Sequence, residues 1–427
     1  MALLDFVFVS DSYRRSRVRG PSLDDTGEYT VINHSRGMED THTEYLVSRL
    51  ATIRDRLEAG MDRREFLRTL VTGGYALGVA QFLGVDDFLA ADDGEVPIVT
   101  ALVRSDPDDP WSLEERTRYV PTSWYASVTK AFELNDLLAR TAFTGYLGSA
   151  VVPGSYDRGT ASVSVGISSG LDSFRDTFDG LVDDVSLDIE TIVDIDGIED
   201  GHEGFEPRFI DSASSGDIPS GIACETPGSI ATLGPVLYDP DTRQEFFVTA
   251  EHAFEDGADP DSDRLSLPVD GADTVELGAV ERAHPVEDIV AVTPGNQFRP
   301  SNTIDTPSPA RVRGQLTRLG LADLIARGED LEKVGAMTGH TTGTIQGIDA
   351  VTCFTDEFCR RGQIRWGGEM DLTDGDSGSV SYHNDPEGAD EDVLVAGFNN
   401  ARTWWPGQSY VWGIGAYKLT ETYGYHF

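Results

Sequence analysis

The sequence predicts an all-β unit over residues 216–427, preceded by a small α+β domain over residues 92–215. After residue 216, short apolar runs are separated by turns rich in Gly, Pro and Asp, which is typical of a β-sandwich or barrel. Before it, helical periodicity and period-two alternation follow one another along the chain. The chain has 427 residues, enough for two or three domains with a well-packed core.

The composition is strongly acidic along the whole chain. Lys and Arg together number 33 against 74 Asp and Glu, which gives a formal net charge of −41. This composition resembles that of proteins from extreme halophiles, because molar salt shortens the Debye length to about 3 Å and screens the self-repulsion. The composition argues strongly against binding of nucleic-acid phosphates, since that function needs clustered cations.

The first 91 residues contain a predicted targeting segment. Residues 1–60 are predicted to be a poorly structured or short helical extension. In residues 61–91, the pair Arg63 and Arg64 precedes a weakly apolar stretch, and Ala90 then marks a small-residue region. This order resembles a twin-arginine export signal. The alternative is an amphipathic helix of a soluble domain.

The resemblance to an export signal has consequences for location and partners. It implies the twin-arginine export machinery as a partner and an extracellular or cell-surface location. The apolar stretch is about sixteen residues long, whereas a spanning helix needs about twenty. No stable membrane span is therefore predicted after processing.

The predicted α+β domain alternates between two periodicities. Residues 124–143 and 171–182 have apolar side chains at helical spacing, while 160–169 and 184–196 alternate as half-buried strands do. The domain contains no evident nucleophile, metal cluster or phosphate loop. It is predicted to be either a pro-segment that assists folding and is then removed, or a permanent accessory domain, with a linker over 209–223.

The three cysteines are Cys224, Cys353 and Cys359, an odd and sparse set that does not form a disulfide framework. Cys353 and Cys359 are close enough to pair across a loop; the alternative is two ordinary buried thiols. No Cys/His spacing suggests a zinc site, and no cofactor is predicted. The acidic run 256–263 is predicted to be solvated, with calcium binding as the alternative.

Three short motifs in the all-β unit place His252, Asp288 and Ser377 in that order. They read T-A-E-H, D-I-V-A and G-D-S-G, and together they resemble the corresponding motifs of chymotrypsin-like serine proteases. The stretch VGAMTGHTTGTIQGI (334–348) resembles the strand–turn–strand of secreted microbial members of that family. The resemblance covers residues 216–427, about half of the chain.

The resemblance implies an all-β double barrel of chymotrypsin-like type, with His252 and Asp288 in the first six-stranded barrel and Ser377 in the second. It implies a trypsin-like serine endopeptidase that cleaves protein or peptide substrates through an acyl-enzyme. The alternative is a catalytically inactive protease-like binding module of the cell envelope. A cytoplasmic quality-control protease is a further alternative.

Elementary chemistry explains these residue types. A serine hydroxyl needs an adjacent base, which His252 can provide, and a buried Asp288 would fix the imidazole tautomer. The backbone N–H groups of Gly375 and Ser377 would form the oxyanion hole. Asp376 is predicted to fix this loop through a buried ion pair or hydrogen bonds, and the sequence offers Arg360, Arg361 or Arg365 as its partner.

Substrate specificity is less well indicated. Asp371 lies six residues before Ser377, where a carboxylate can line the first pocket and favour a basic side chain. The alternative is a solvated turn. The strand at 393–401 is predicted to pair with the substrate backbone, with the pocket wall at Gly397, Phe398 and Asn399. Glu251, beside His252, is expected to raise the histidine pKa if it faces the site.

Overall fold

The computed structural model describes residues 94–140, 145–157, 160–169, 185–191, 205–210, 216–355, 358–368, 370–405 and 408–427. The predicted extension at 1–60, the predicted export signal at 61–91 and the predicted helix at 171–182 lie outside these residues. In the described part of the chain, no helix is long and apolar enough to cross a membrane.

The N-terminal part combines strands with one long helix. Its strands are β1 (Glu95–Arg104), β2 (Leu113–Pro121), β3 (Tyr146–Val152), β4 (Ser162–Ile167) and β5 (Ser186–Thr191), and helix α1 (Thr122–Arg140) lies between β2 and β3. The predicted helix at 124–143 and the predicted strands at 160–169 and 184–196 are confirmed where the structure describes them, over 124–140, 162–167 and 186–191. Trp124, Val128 and Leu138 form the buried face of α1, as the helical spacing of its apolar residues predicts.

Residues 223–294 form a seven-stranded antiparallel sheet, called here the first sheet. Its strands are β7 (Ala223–Glu225), β8 (Ile230–Thr232), β9 (Leu237–Asp239), β10 (Gln244–Thr249), β11 (Arg264–Leu267), β12 (Val275–His284) and β13 (Ile289–Pro294). Their spatial order is β8-β7-β11-β12-β13-β10-β9. The sheet therefore has seven strands where six were predicted. Phe247, Leu265 and Val290 are fully buried in its core.

The remaining strands belong to a fourteen-stranded sheet, called here the second sheet. Besides β1–β5 it contains β6 (Gly216–Ser220), β14 (Phe298–Ile304), β15 (Ala310–Leu316), β16 (Asp330–Gly335), β17 (Gly339–Thr355), β18 (Phe358–Trp366), β19 (Val380–Asn384), β20 (Asp392–Trp405) and β21 (Gln408–Gly415). Helices α2 (Arg318–Arg327) and α3 (Ala416–Tyr423) accompany it. Strands from both halves of the chain thus share one sheet, and the second six-stranded barrel is not a separate sheet.

The N-terminal strands are joined directly to the C-terminal ones. β1 pairs antiparallel with β15, and β3 pairs antiparallel with β17. One apolar core contains Trp124 and Val163 from the N-terminal part together with Ile348 and Trp366 from the C-terminal part. The α+β segment therefore covers apolar surface that the C-terminal strands would otherwise expose to water.

A further core lies between the first and second sheets. Phe246 and Val248 of β10 pack there with Val380 of β19 and Phe398 of β20, and all four side chains are buried. This contact brings the end of β10 close to the loop that precedes β19, where the site residues lie.

Candidate active site

His252 and Asp288 lie at the same end of two paired strands. β10 and β13 are antiparallel neighbours, with Thr249 opposite Val290. His252 follows β10 in a single 3₁₀ turn (Glu251–Ala253), and Asp288 immediately precedes β13. Because the strands run in opposite directions, the end of one and the start of the other meet at one edge. The apolar run before His252 therefore forms β10, which ends at Thr249, and the run after Asp288 forms β13.

Two hydrogen bonds join these residues. His252 donates its backbone N–H to Asp288 Oδ1 at 2.9 Å, and its Nδ1 lies 2.8 Å from Asp288 Oδ2. Asp288 adopts a left-handed backbone conformation, with φ of 60°, and its own N–H donates to His284 O at 2.7 Å. The side chain of Asp288 is 1% exposed and that of His252 is 22% exposed. The carboxylate is thus buried while the imidazole reaches solvent.

Electrostatics favour the charged carboxylate. Burial opposes ionisation of Asp288, but His252, Arg360 and the two hydrogen bonds outweigh it and hold the Asp288 pKa well below its usual range. An ionised carboxylate only accepts hydrogen bonds, so Nδ1 of His252 carries the proton and Nε2 is left as the base. Burial lowers the pKa of His252, but the negative charge of Asp288 outweighs this and raises it above the ordinary value.

Ser377 approaches the same edge from the loop between β18 and β19. Thr232 donates its backbone N–H to Ser377 O at 2.8 Å. Gly378 has φ of 99°, and a Cβ there would collide with Thr232 O and lie 2.6 Å from Thr249 Oγ1. This close approach requires glycine and seats the serine loop against the end of β10, three residues before His252. Within the described residues, the Ser377 hydroxyl makes no hydrogen bond to His252. Hydrogen bonds between catalytic groups are often long without substrate.

The backbone around Ser377 leaves two donors open. Gly375 has φ of 89°, a conformation that favours glycine. The N–H groups of Asp376, Gly378 and Ser379 donate to Thr373 O, Asn399 O and Asp376 O. Those of Gly375 and Ser377 donate to no group among the described residues. Two free N–H groups one residue apart can together bind an oxyanion.

Asp376 anchors the Ser377 loop through a buried lysine and several backbone N–H groups. Its Oδ1 accepts from the backbone N–H of Met337 at 2.8 Å and of Thr338 at 3.1 Å. Its Oδ2 accepts from Thr373 N–H at 3.1 Å and from Lys333 Nζ at 3.2 Å. Lys333 and Asp376 are both 0% exposed. Burial lowers the pKa of Lys333, and the Asp376 carboxylate opposes that effect.

The predicted arginine partner of Asp376 was wrong. Arg360 instead contacts Asp288, with NH1 3.1 Å from Oδ2. Arg361 donates to Ala139 O in α1 at 2.7 Å, and Arg365 lies over the Tyr410 ring, 5.0 Å from its centroid. The signal that points to the true partner is composition and alternation, because the chain has only three lysines, Lys130, Lys333 and Lys418, and Lys333 lies on the same face of β16 as the buried Leu331.

Sequence reasoning also missed an amide that supports the turn before Asp288. Asn400 follows the predicted wall residue Asn399 in β20 and is 2% exposed. Its Nδ2 donates to Glu287 O at 3.3 Å, one residue before Asp288. Strand β20, which carries Asn400, thereby contacts the Asp288 turn directly. The Asn-Asn pair gave no indication of which amide would do this.

The residues predicted to line the substrate pocket are half-buried or buried, and most of their side chains have partners within the protein. Asp371 is half-buried, and its Oδ2 accepts from Gly368 N–H at 2.7 Å, so its carboxylate closes its own turn. Gly397, Phe398 and Asn399 are buried within β20. Phe398 belongs to the core between the sheets, and Asn399 accepts from Trp366 Nε1 at 3.1 Å. The side chains of Phe398 and Asn399 therefore face the protein interior.

Glu251 lies beside His252 in the 3₁₀ turn, and the loop that follows holds its carboxylate. Its Oε1 accepts the backbone N–H of Ala258 at 3.2 Å. Its charge still raises the pKa of His252, as expected, although the effect of Asp288 is larger. Burial, followed by the nearby charge of Asp288, raises the pKa of Glu251 itself.

Cys353 and Cys359 form a disulfide, which decides between the two alternatives left by the sequence. They face each other across the β17–β18 ladder. Cys224 is a free, buried thiol in the first sheet, where burial raises its pKa to about 12. A thiol of this kind is inert at neutral pH.

The sequence matches no protein-family model and no curated protein. Solved structures similar to this chain are chymotrypsin-like serine proteases. Nocardiopsis protease has 19% identity and a TM-score of 0.36, over 49% of this chain and 97% of that one. A glutamic-acid-specific serine protease has 18% identity and a TM-score of 0.36, over 49% and 99%. Thermobifida fusca protease A has 18% identity and a TM-score of 0.35, over 49% and 97%.

Proposed function

We propose that this protein is a serine endopeptidase that cleaves peptide bonds through an acyl-enzyme on Ser377. The observation that carries the proposal is the hydrogen-bonded His252–Asp288 pair, set beside a serine whose own N–H and that of Gly375 are open. These are the parts that acyl transfer needs: a nucleophile, a base, a residue that orients the base, and donors for the oxyanion.

The proposed reaction follows from this geometry. His252 Nε2 takes the proton of the Ser377 hydroxyl as its oxygen attacks the substrate carbonyl. The buried Asp288 stabilises the imidazolium that forms and keeps Nδ1 protonated. The N–H groups of Gly375 and Ser377 bind the carbonyl oxygen as it becomes negative. His252 then gives its proton to the leaving amine. Water next attacks the acyl-enzyme, with His252 again as the base, and this step releases the carboxylic acid and restores the Ser377 hydroxyl.

The buried Lys333–Asp376 pair supports this role of the loop. It fixes Asp376, the residue between the two proposed oxyanion donors. Catalysis by fixed dipoles requires that the donors do not reorganise during the reaction. The loop is therefore suited to stabilising the negative charge of the oxyanion without a conformational change on substrate binding.

A peptide library digested in molar salt tests activity and cleavage preference together. We expect turnover by the wild type and a loss of about 10⁶-fold in kcat for Ser377→Ala. Ser308→Ala, in an exposed turn, is the matched control and is expected to keep full activity. No turnover in the wild type would favour the alternative, an inactive binding module of the cell envelope.

We further propose that the enzyme is exported by the twin-arginine pathway and works in high salt. The Arg63–Arg64 segment and the net charge of −41 support these two points. Cell fractionation with an antibody tests the first: product found wholly in the cytoplasm would contradict it and favour a quality-control protease. A circular dichroism melt tests the second, and we expect a lower Tm in dilute buffer than in molar salt.

A further inference from the structure

The carboxylate of Asp288 is shared between two groups that can carry positive charge. Its Oδ2 lies 2.8 Å from His252 Nδ1 and 3.1 Å from Arg360 NH1. The carboxylate is 1% exposed and the Arg360 side chain 12% exposed. Charges this well shielded from water interact strongly and are only weakly screened by salt. The contact therefore persists in the high-salt conditions that the composition indicates.

Arg360 reaches Asp288 from the other sheet. It lies in β18, opposite Thr352 of β17, and its neighbour Cys359 is bonded to Cys353. Its NH2 also donates to Pro285 O at 3.3 Å, in the turn that leads to Asp288. One guanidinium thus holds both the carboxylate and the backbone of its turn, so it links the second sheet to the first at the acid–base pair.

Three charged groups act on His252 in this arrangement. Asp288 accepts its Nδ1 proton, Glu251 lies beside it in the same 3₁₀ turn, and Arg360 lies behind Asp288. The two carboxylates favour the imidazolium, and the guanidinium opposes it. Without Arg360, the paired negative charges would keep His252 protonated to a higher pH.

We propose that Arg360 is a positioning residue that clamps Asp288 and sets the pH range in which His252 works as a base. This proposal rests on the proposed function for its kinetic consequences. Its geometric basis is the two-point contact of one guanidinium with the Asp288 carboxylate and Pro285 O. The neighbouring residue Arg361 points away from the site towards α1, where it contacts Ala139 O and Asp136.

The arrangement suggests a specific set of variants. Arg360→Gln removes the charge but keeps an amide that can donate to Asp288. Arg360→Lys keeps the charge but cannot make both contacts of the forked guanidinium. Arg361→Gln is the matched control, one residue along the same strand on its opposite face. Thermal melts of all three confirm that each variant is folded before it is compared.

The first measurement is an NMR titration of the His252 imidazole in molar salt, in a Ser377→Ala background. The His252 signal is identified by its absence in His252→Gln. We expect Arg360→Gln to raise the pKa of His252, Arg360→Lys to change it much less, and Arg361→Gln to leave it unchanged. An unchanged pKa of His252 in Arg360→Gln would overturn the proposal.

The second measurement is the pH profile of kcat/KM. Since His252 is a base only when deprotonated, a raised pKa moves the acid limb to higher pH. We expect Arg360→Gln to lose about tenfold on the acid limb and no more than about threefold on the plateau. An equal loss at every pH would show a merely structural role and overturn the proposal.

These two measurements separate failure of this proposal from failure of the proposed function. The titration needs no turnover, so it reads the effect of Arg360 on His252 even in an inactive protein. If the wild type has no activity but the titration shows the expected shift, the enzyme assignment is wrong and the charge coupling stands. If the wild type is active but neither the pKa nor the acid limb moves, only the role of Arg360 is wrong.

Discussion

The two sheets differ in how much of the chain each one needs. The first sheet, which carries His252 and Asp288, is built from residues 223–294, a nearly continuous stretch. The second sheet, which leads into the Ser377 loop, takes strands from Glu95 to Gly415. The His252–Asp288 pair therefore depends on local pairing of two neighbouring strands. The Ser377 loop leads into β19 of a sheet that joins distant parts of the chain, including the N-terminal segment.

The two sheets also differ in what holds the charged groups near Ser377. The first side is here the His252–Asp288 pair, and the second side is the Lys333–Asp376 pair. His252 is partly exposed, and its bond to Asp288 is made by side chains that take part in the proposed chemistry. Lys333 and Asp376 are fully buried and contact no solvent. A change of the partly exposed His252 should thus affect rate at little cost to stability. A change on the second side should affect stability first, because a buried charge left alone is costly.

Removal of the N-terminal segment should have the largest effect. A chain of residues 216–427 alone would expose Leu321, Ile348 and Trp366, which share a core with α1 and β4. Exposing each such side chain to water lowers the free energy of unfolding by about 1.5–3 kcal/mol. The total free energy of unfolding of a protein is only about 5–15 kcal/mol. We expect no cooperative thermal transition for this chain in molar salt, with residues 92–427 as the control.

A cooperative transition of 216–427 as high as that of 92–427 would contradict this dependence. It would show that the two parts are separable, as expected of a pro-segment that has finished its role. Addition of residues 92–215 as a separate chain then sharpens the comparison. Recovery of the transition would show that the segment acts by packing and needs no covalent connection.

On the first side, Asp288→Asn should reduce kcat by about 10⁴-fold while the chain stays folded. Asparagine is nearly isosteric, but its amide can donate to Nδ1 of His252 and so favours the wrong tautomer. We expect the labelling rate of Ser377 by a fluorophosphonate to fall in proportion. A loss of less than about tenfold would show that Asp288 does not orient the base.

On the second side, Lys333→Met should cost about 3–5 kcal/mol in the free energy of unfolding, because it leaves Asp376 buried and unpaired. Lys418→Met is the matched control, since Lys418 forms a half-exposed pair with Glu421 at 3.7 Å. That variant should lose less than about 1 kcal/mol. Urea unfolding in molar salt measures both. Equal losses in the two variants would remove the distinction between the two sides.

Much of the first side could be predicted from the sequence. The apolar run before His252 and the one after Asp288 are strands, and their antiparallel pairing places both residues at one edge. The glycines around Ser377 could also be read as a tight loop, and both Gly375 and Gly378 have the positive φ that only glycine adopts easily. These features depend on residues close together in sequence.

The charge partners could not be predicted, because they depend on which strands become neighbours. Arg360, Arg361 and Arg365 lie within six positions of each other, yet they contact Asp288, α1 and the Tyr410 ring respectively. Alternation along β18 sends Arg360 and Arg361 to opposite faces. Lys333 meets Asp376 only because β16 and β19 are paired in the second sheet. The joining of β1 and β3 to that sheet is equally long-range.

The central claim is that Ser377 is the nucleophile, activated by His252. The most direct measurement is mass spectrometry of the full-length protein after treatment with a fluorophosphonate in molar salt. We expect one adduct, mapped to the peptide containing Ser377, in the wild type and in Ser308→Ala, and no adduct in His252→Gln. Labelling of another serine, or equal labelling of His252→Gln and wild type, would contradict the account.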